Sequence, residues 1–408
     1  MSTLTRIACL LALMVARADE RPSPVALSDP GNVTVHEWGT FTTVAGQDGL
    51  AIDWLPLGGP ADLPCFVEHF QNRRDFKIAP NQPTPVDYAT ARSNLWGKVR
   101  METPVLYFYS SRPTTVSVRV QFPHGLMTEW YPRASVAQPF VNKDSYRSAG
   151  WASWIAWPNV KVSPGAAPQF PAGEGDSHYY LARNTDAAPL TVNDQHERFL
   201  FYRGVGSFDV PISTTALGDT AVRIHNLGRD VLHGAVLFWN RHGVIGYRVL
   251  GALRSDTVVV APKPGGTVAQ LRREIERMLV KGGLYPREAT AMVDSWRDSW
   301  FEDGTRVLYL VPSRTVDEIL PLTLTPAPRT VTRVFVGRME VITPAMEQSV
   351  AAAIADRDGS ELERYGRFLG PITDRIVARN PSAEDRRRID DATRAAFTRY
   401  QRRVSSCE

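Results

Sequence analysis

Lysine, cysteine and long apolar runs are all scarce in this 408-residue chain. Lysine occurs six times among 47 basic residues. Nearly all the positive charge is therefore arginine, the side chain suited to fixed, two-pronged pairing with carboxylates. Only three cysteines occur, Cys9, Cys65 and Cys407, and their separation excludes a clustered zinc site. No apolar run after residue 16 approaches eighteen residues, so the sequence predicts no permanent membrane span beyond that point. Dense Lys/Arg blocks with interleaved aromatics are missing as well, which argues against nucleic acid as a partner. Four catalytic signatures are absent: a G-x-S-x-G elbow, H-E-x-x-H, a P-loop and G-x-G-x-x-G. Nothing in the sequence names a cofactor.

The first eighteen residues are the most informative segment. A short basic start, Met1 to Arg6, precedes the ten-residue apolar run IACLLALMVA at 7–16, and Ala16-Arg17-Ala18 supplies a small-x-small cleavage pattern. This reads as a secretory signal peptide over 1–18. The expected mature chain, from Asp19, works outside the cytoplasm, in the periplasm or beyond. Removing Arg6 and Arg17 takes the formal charge from +4 to about +2. Cys9 leaves with the leader. Cys65 and Cys407 are then a candidate disulfide in an oxidising compartment.

Between Val33 and Pro262 short segments rich in β-branched and aromatic residues recur, bounded by Gly, Pro, Asn or Asp. They include VTVHEW (33–38), TFTTV (40–44), PVLYFYS (104–110), TTVSVRVQF (114–122), SWIAW (153–157), HYYLA (178–182) and AVLFWNR (235–241). The expected fold is mainly β: an antiparallel β-sandwich followed by an α+β and then a helical unit. The boundaries expected after the leader are 19–264, 265–343 and 344–408. Thr267 is placed to cap a helix with Val268, Leu271, Ile275, Met278 and Leu279 on one stripe. Pro286 opens a second helix reaching about Phe301. Gly370-Pro371 is expected to break the C-terminal helices.

Candidate chemistry is thinly spread. Period-two alternation puts Glu37 on an apolar face with Val33, Val35 and Phe41, and puts His36 and Trp38 on the other. A buried carboxylate must be paired. Arg100, Arg203, Arg306 and Arg338 are the strand arginines considered for it. The alternative is a perturbed acid or base, or a metal ligand with His36. Asp294, Asp298 and Glu302 recur every four residues and read as one acidic helix face, with Trp296 and Trp300 on another. Trp151, Trp154 and Trp157 are either core or sugar-stacking indoles. His225, His233 and His242 are the histidines with some chance of converging on a metal.

HEWGTFT (36–42), METPVLYFY (101–109), FLFYRGVG (199–206) and DSWFEDGTRVLYLVP (298–312) together resemble a group of uncharacterised exported bacterial proteins. The resemblance spans most of the mature chain. It implies export and brings no activity with it. Two readings follow. The first is a non-catalytic binding or structural protein of the cell envelope, its partner a carbohydrate or an envelope protein, with His36, Trp38, Trp151, Trp154 and Trp157 as binding residues. The second is an exported carboxylate-based hydrolase or metal-dependent enzyme, drawing on Glu37, Glu102, Glu129, Asp298 or Glu302.

Overall fold

The computed structural model describes residues 33–59, 63–71, 86–147, 150–173 and 177–401. The leader expected at 1–18 and Cys407 lie outside the described residues. Strands β1 (Val33–Val44), β2 (Glu68–His69), β3 (Val99–Ser110), β4 (Thr114–Phe122), β5 (Gly125–Tyr131), β6 (Ser135–Ala137) and β7 (Ser153–Val162) come first, with helix α1 (Tyr88–Asn94) between β2 and β3. Next come β8 (Leu190–Val192), β9 (Gln195–Glu197), β10 (Leu200–Gly206), β11 (Ile212–Leu217), β12 (Ala221–Asn226), β13 (Ala235–Arg241), β14 (Val244–Leu250) and β15 (Asp256–Val260). Helices α2 (Val268–Lys281) and α3 (Pro286–Ser295), strand β16 (Gly304–Val311), helix α4 (Ser313–Ile319), and strands β17 (Leu322–Thr325) and β18 (Thr330–Glu340) follow. Four helices close the chain: α5 (Pro344–Ala355), α6 (Gly359–Arg364), α7 (Leu369–Val377) and α8 (Ala383–Gln401).

Nine strands form one sheet in the order β14-β13-β16-β18-β1-β3-β10-β5-β2. The fold is mainly β, as expected, but this sheet is mixed: β1 pairs in parallel with β18 and antiparallel with β3. Because β18 lies next to β1, and β16 joins β18 to β13, strands from both sides of residue 264 share one sheet. The boundary expected there therefore runs through continuous hydrogen bonding. A six-stranded sheet (β17-β4-β7-β8-β9, with β6 on β7) and a three-stranded sheet (β11-β12-β15) form the second β layer.

Alternation sorts the central sheet into two faces. Val33, Val35 and Phe41 of β1 pack with Tyr202, Phe335, Val118, Ile155 and Trp157 against the second β layer. Trp38, Tyr107, Phe201 and Val334 face α2 and α3 instead, meeting Leu271, Ile275, Met292 and Trp300. A third cluster joins Val44 and Trp54 to α5, α7 and α8. Burying each such aliphatic or aromatic side chain contributes about 1.5–3 kcal/mol. Helix α2 forms as its sequence predicts, with Thr267 and Gln270 in a reciprocal capping box and Gly282 at its end. Among the described residues no helix is long and apolar enough to cross a membrane.

Three expectations change. HYYLA is a short 3₁₀ helix, His178–Arg183, because the Ser177 hydroxyl accepts from the Tyr179 N–H and starts a turn. Helix α3 stops at Ser295, with Trp296 as its C-cap. Gly370-Pro371 does not break a helix. Both sit in the first turn of α7, where proline is tolerated, and the break falls earlier, at Gly366 with φ +49°.

Candidate functional site

The centre of the large sheet is irregular where it is most polar. Register shifts occur between Trp38 and Thr40 on β1, between Phe201 and Gly204 on β10 against β3, and between Arg203 and Gly204 on β10 against β5. Gly39 sits in the first of these, where an added Cβ would lie 2.8 Å from the Phe335 ring. Thr103 on β3 has φ +50°, a left-handed conformation rare for a β-branched residue. Bulges and such outliers gather at functional sites.

A band of charge crosses the sheet here. Glu129 pairs in register with Arg203, Thr42 with both Arg100 and Arg338, and Glu340 with Arg306. Glu102 has Arg100 at 3.3 Å and Arg367 at 3.4 Å. Burial alone would raise the Glu102 carboxyl; Arg100, Arg367 and Arg338 outweigh it and hold it down at about 2. Burial, with Arg367 close by, pushes Arg100 down to about 9. Glu129 accepts from Tyr88 (2.6 Å) and Thr128 (2.5 Å), with Arg92 at 3.9 Å. Arg338 donates to Glu340 (2.8 Å), Glu302 (2.6 Å) and the Ser299 hydroxyl (2.7 Å). Arg306 lies 2.8 Å from Glu340 and donates to the carbonyls of Trp300 and Asp303. Guanidinium groups stand against each of these carboxylates. A general acid needs a proton to give, and Glu102, held down in this way, has none near neutral pH.

Glu37 is buried on the apolar face, as the alternation predicts. Its partner is Arg333, whose Nε donates at 2.5 Å, with the Tyr202 hydroxyl donating at 2.5 Å to the other oxygen. None of the four arginines considered from sequence is involved: Arg100, Arg306 and Arg338 sit in the charge band, and Arg203 reaches Thr103. Arg333 also donates to Asp317 and to the Leu320 carbonyl, each at 2.8 Å.

The acidic row does not exist as a helix face. Asp294 is on α3 and binds Arg272; Asp298 and Glu302 lie beyond the helix end, where Asp298 meets His178 at 2.8 Å and Glu302 meets Arg338. Trp296 and Trp300 stack in the core with ring centroids 6.3 Å apart. Trp151 and Trp157 are core residues, and the Trp157 N–H donates to the Pro132 carbonyl. Trp154, on the other face, is covered by the Arg119 guanidinium 3.9 Å above its ring. His225 pairs with Asp256 and His242 faces Glu361, while His233 is in an exposed loop. Among the described residues no three His, Cys, Asp or Glu side chains gather as metal ligands. Cys65 precedes β2, and the pairing expected with Cys407 falls outside the described residues.

Open space is found elsewhere, in a groove of about 700 Å³ at the end of β3. Tyr109, Thr185, Arg198 and Arg287 line it, with Ser110 and Ser111. Tyr109 links it to a buried cluster: its hydroxyl donates to Glu288 at 2.7 Å, His36 Nδ1 lies 2.8 Å from the other Glu288 oxygen, and the Tyr285 N–H donates there at 2.8 Å. His36 packs on the Tyr285 ring at 4.4 Å. His36 thus contacts α3, on the opposite side of β1 from Glu37, so the two cannot share a metal. Thr185, Arg198 and Glu288 were not singled out from sequence. Only Glu288 left a trace there, as the third residue after Tyr285 at a proline-opened helix start.

No protein-family model matches this chain, and no curated protein matches it.

Proposed function

We propose that this chain is an exported, non-catalytic binding protein of the cell envelope, with the groove beside α3 as its ligand surface. One observation carries the reading: Glu37, Glu102, Glu129, Asp298 and Glu302 are each engaged by an arginine or a histidine. A glycosidase needs two carboxyl groups facing each other across a cleft, one of them able to hold a proton. The groove has the volume of a small-ligand site and is polar. Export rests on the leader at 1–18, and the Cys65–Cys407 bridge belongs to the same proposal.

The test is titration of the mature protein with cell-wall glycan fragments by calorimetry, with mass spectrometry of the same mixtures. Binding without cleavage is expected. Released product that disappears in Glu102→Gln or Glu129→Gln at unchanged melting temperature would establish the hydrolase instead. N-terminal sequencing of the exported protein should read from Asp19.

A further inference from the structure

We infer that the groove beside α3 takes an oxyanion, a carboxylate or a phosphate, on the unpaired edge of the Arg198 guanidinium. This rests on the reading of the groove as the ligand surface. Arg198 follows β9, and its Nη1 donates to the Ala187 carbonyl at 2.8 Å and to the Thr185 carbonyl at 3.4 Å. Phe170 lies 5.5 Å from the guanidinium carbon. These contacts set the plane of the group. They leave Nε buried and without a hydrogen-bond partner. The edge carrying Nε is the one that receives a carboxylate or phosphate through two parallel hydrogen bonds.

Thr185, in the same wall, is 4% exposed, and its hydroxyl also has no partner. Leaving a buried polar group unpaired is costly. Two such groups on residues that line one groove point to a ligand that satisfies both, and an oxyanion can accept from each. The charge agrees. Arg198 and Arg287 stand against Asp186 alone among the lining residues, and Asp186 is bonded to Arg287. The volume exceeds what a bare ion needs, and Ser110 and Ser111 add polar wall. The oxyanion is therefore carried on a small polar body, such as a sugar acid or a sugar phosphate.

Calorimetry on the mature chain with glucuronate, inorganic phosphate and glucose tests this. Glucuronate or phosphate should bind and glucose should not, and whichever binds tighter assigns the source. Arg198→Lys keeps the charge but loses the two-pronged edge, and should weaken binding about tenfold or more. Thr185→Val removes a hydroxyl with no partner in the protein. It should weaken binding without lowering the melting temperature of the unliganded protein. Glucose binding as tightly as glucuronate, or unchanged affinity in Arg198→Lys, would overturn the oxyanion and leave the binding reading in place. No binding of any probe would also overturn it, while the wall-fragment titration decides the binding reading separately.

Discussion

Glu37 is fully buried and accepts from both Arg333 and Tyr202. Changing it to Gln leaves the Arg333 cation short of its counter-charge inside the sheet. The expected cost is about 3–5 kcal/mol, read from urea unfolding, against about 1–2 kcal/mol for Tyr202→Phe. Glu102 makes a pH-dependent prediction. Its carboxyl sits at about 2 in the folded protein, below the ordinary 4.5, so its stabilising contribution is complete above pH 4.5 and drains away as pH falls toward 2. The stability gap between wild type and Glu102→Gln should be wide at pH 7 and close across that window; a gap of constant size would contradict the assigned ion pairs. Alternation made the face of Glu37 legible in the sequence. Its partner was not legible, because Arg333 lies 296 positions away on a strand whose parallel pairing leaves no local signal.

At the scale of elements, α3 is fixed by one buried carboxylate. Glu288 caps the helix through the Tyr285 N–H and ties it to His36 on β1 and Tyr109 on β3. Glu288→Ala strands all three partners. It should cost about 3 kcal/mol and alter the near-ultraviolet circular dichroism of the tyrosines. Because Tyr109 lines the groove, ligand affinity should fall with it; native tyrosine signal together with native affinity would show that α3 is held by its apolar stripe alone. Helix α2 was readable down to its cap, since Thr267, Gln270 and Gly282 act locally. The end of α3 was not: Trp296 and Trp300 continue the helical spacing, while Arg338 and Arg306 draw the 299–303 turn to the sheet. The bulges were equally silent, for they arise from what packs across strands rather than along one.

For the whole molecule, composition and strand patterning conveyed a mainly β chain with helices at its end, and the leader conveyed an expected compartment. The sequence order of the strands concealed their spatial order. A chain ending at residue 264 would lack β16 and β18, which separate β13 from β1. It should show no cooperative thermal transition and should be digested rapidly by protease. Removing residues 344–408 would uncover Val44 and Trp54 and withdraw Arg367 from Glu102. That chain should keep strand signal by circular dichroism but melt lower than the full protein; an unchanged melting temperature would make the last four helices an independent unit.

The parallel contact of β1 with β18 also sets a schedule. Thr34 pairs with Thr330 and Val44 with Glu340, so the first of the described strands to be made waits for one made almost three hundred residues later. Pairings this distant in sequence form slowly, and parallel ones more so. Until residue 340 is available, HEWGTFT has a sheet neighbour on one side only, and Glu37 has no cation to meet. The middle of the molecule thus cannot close until nearly the whole chain has been made.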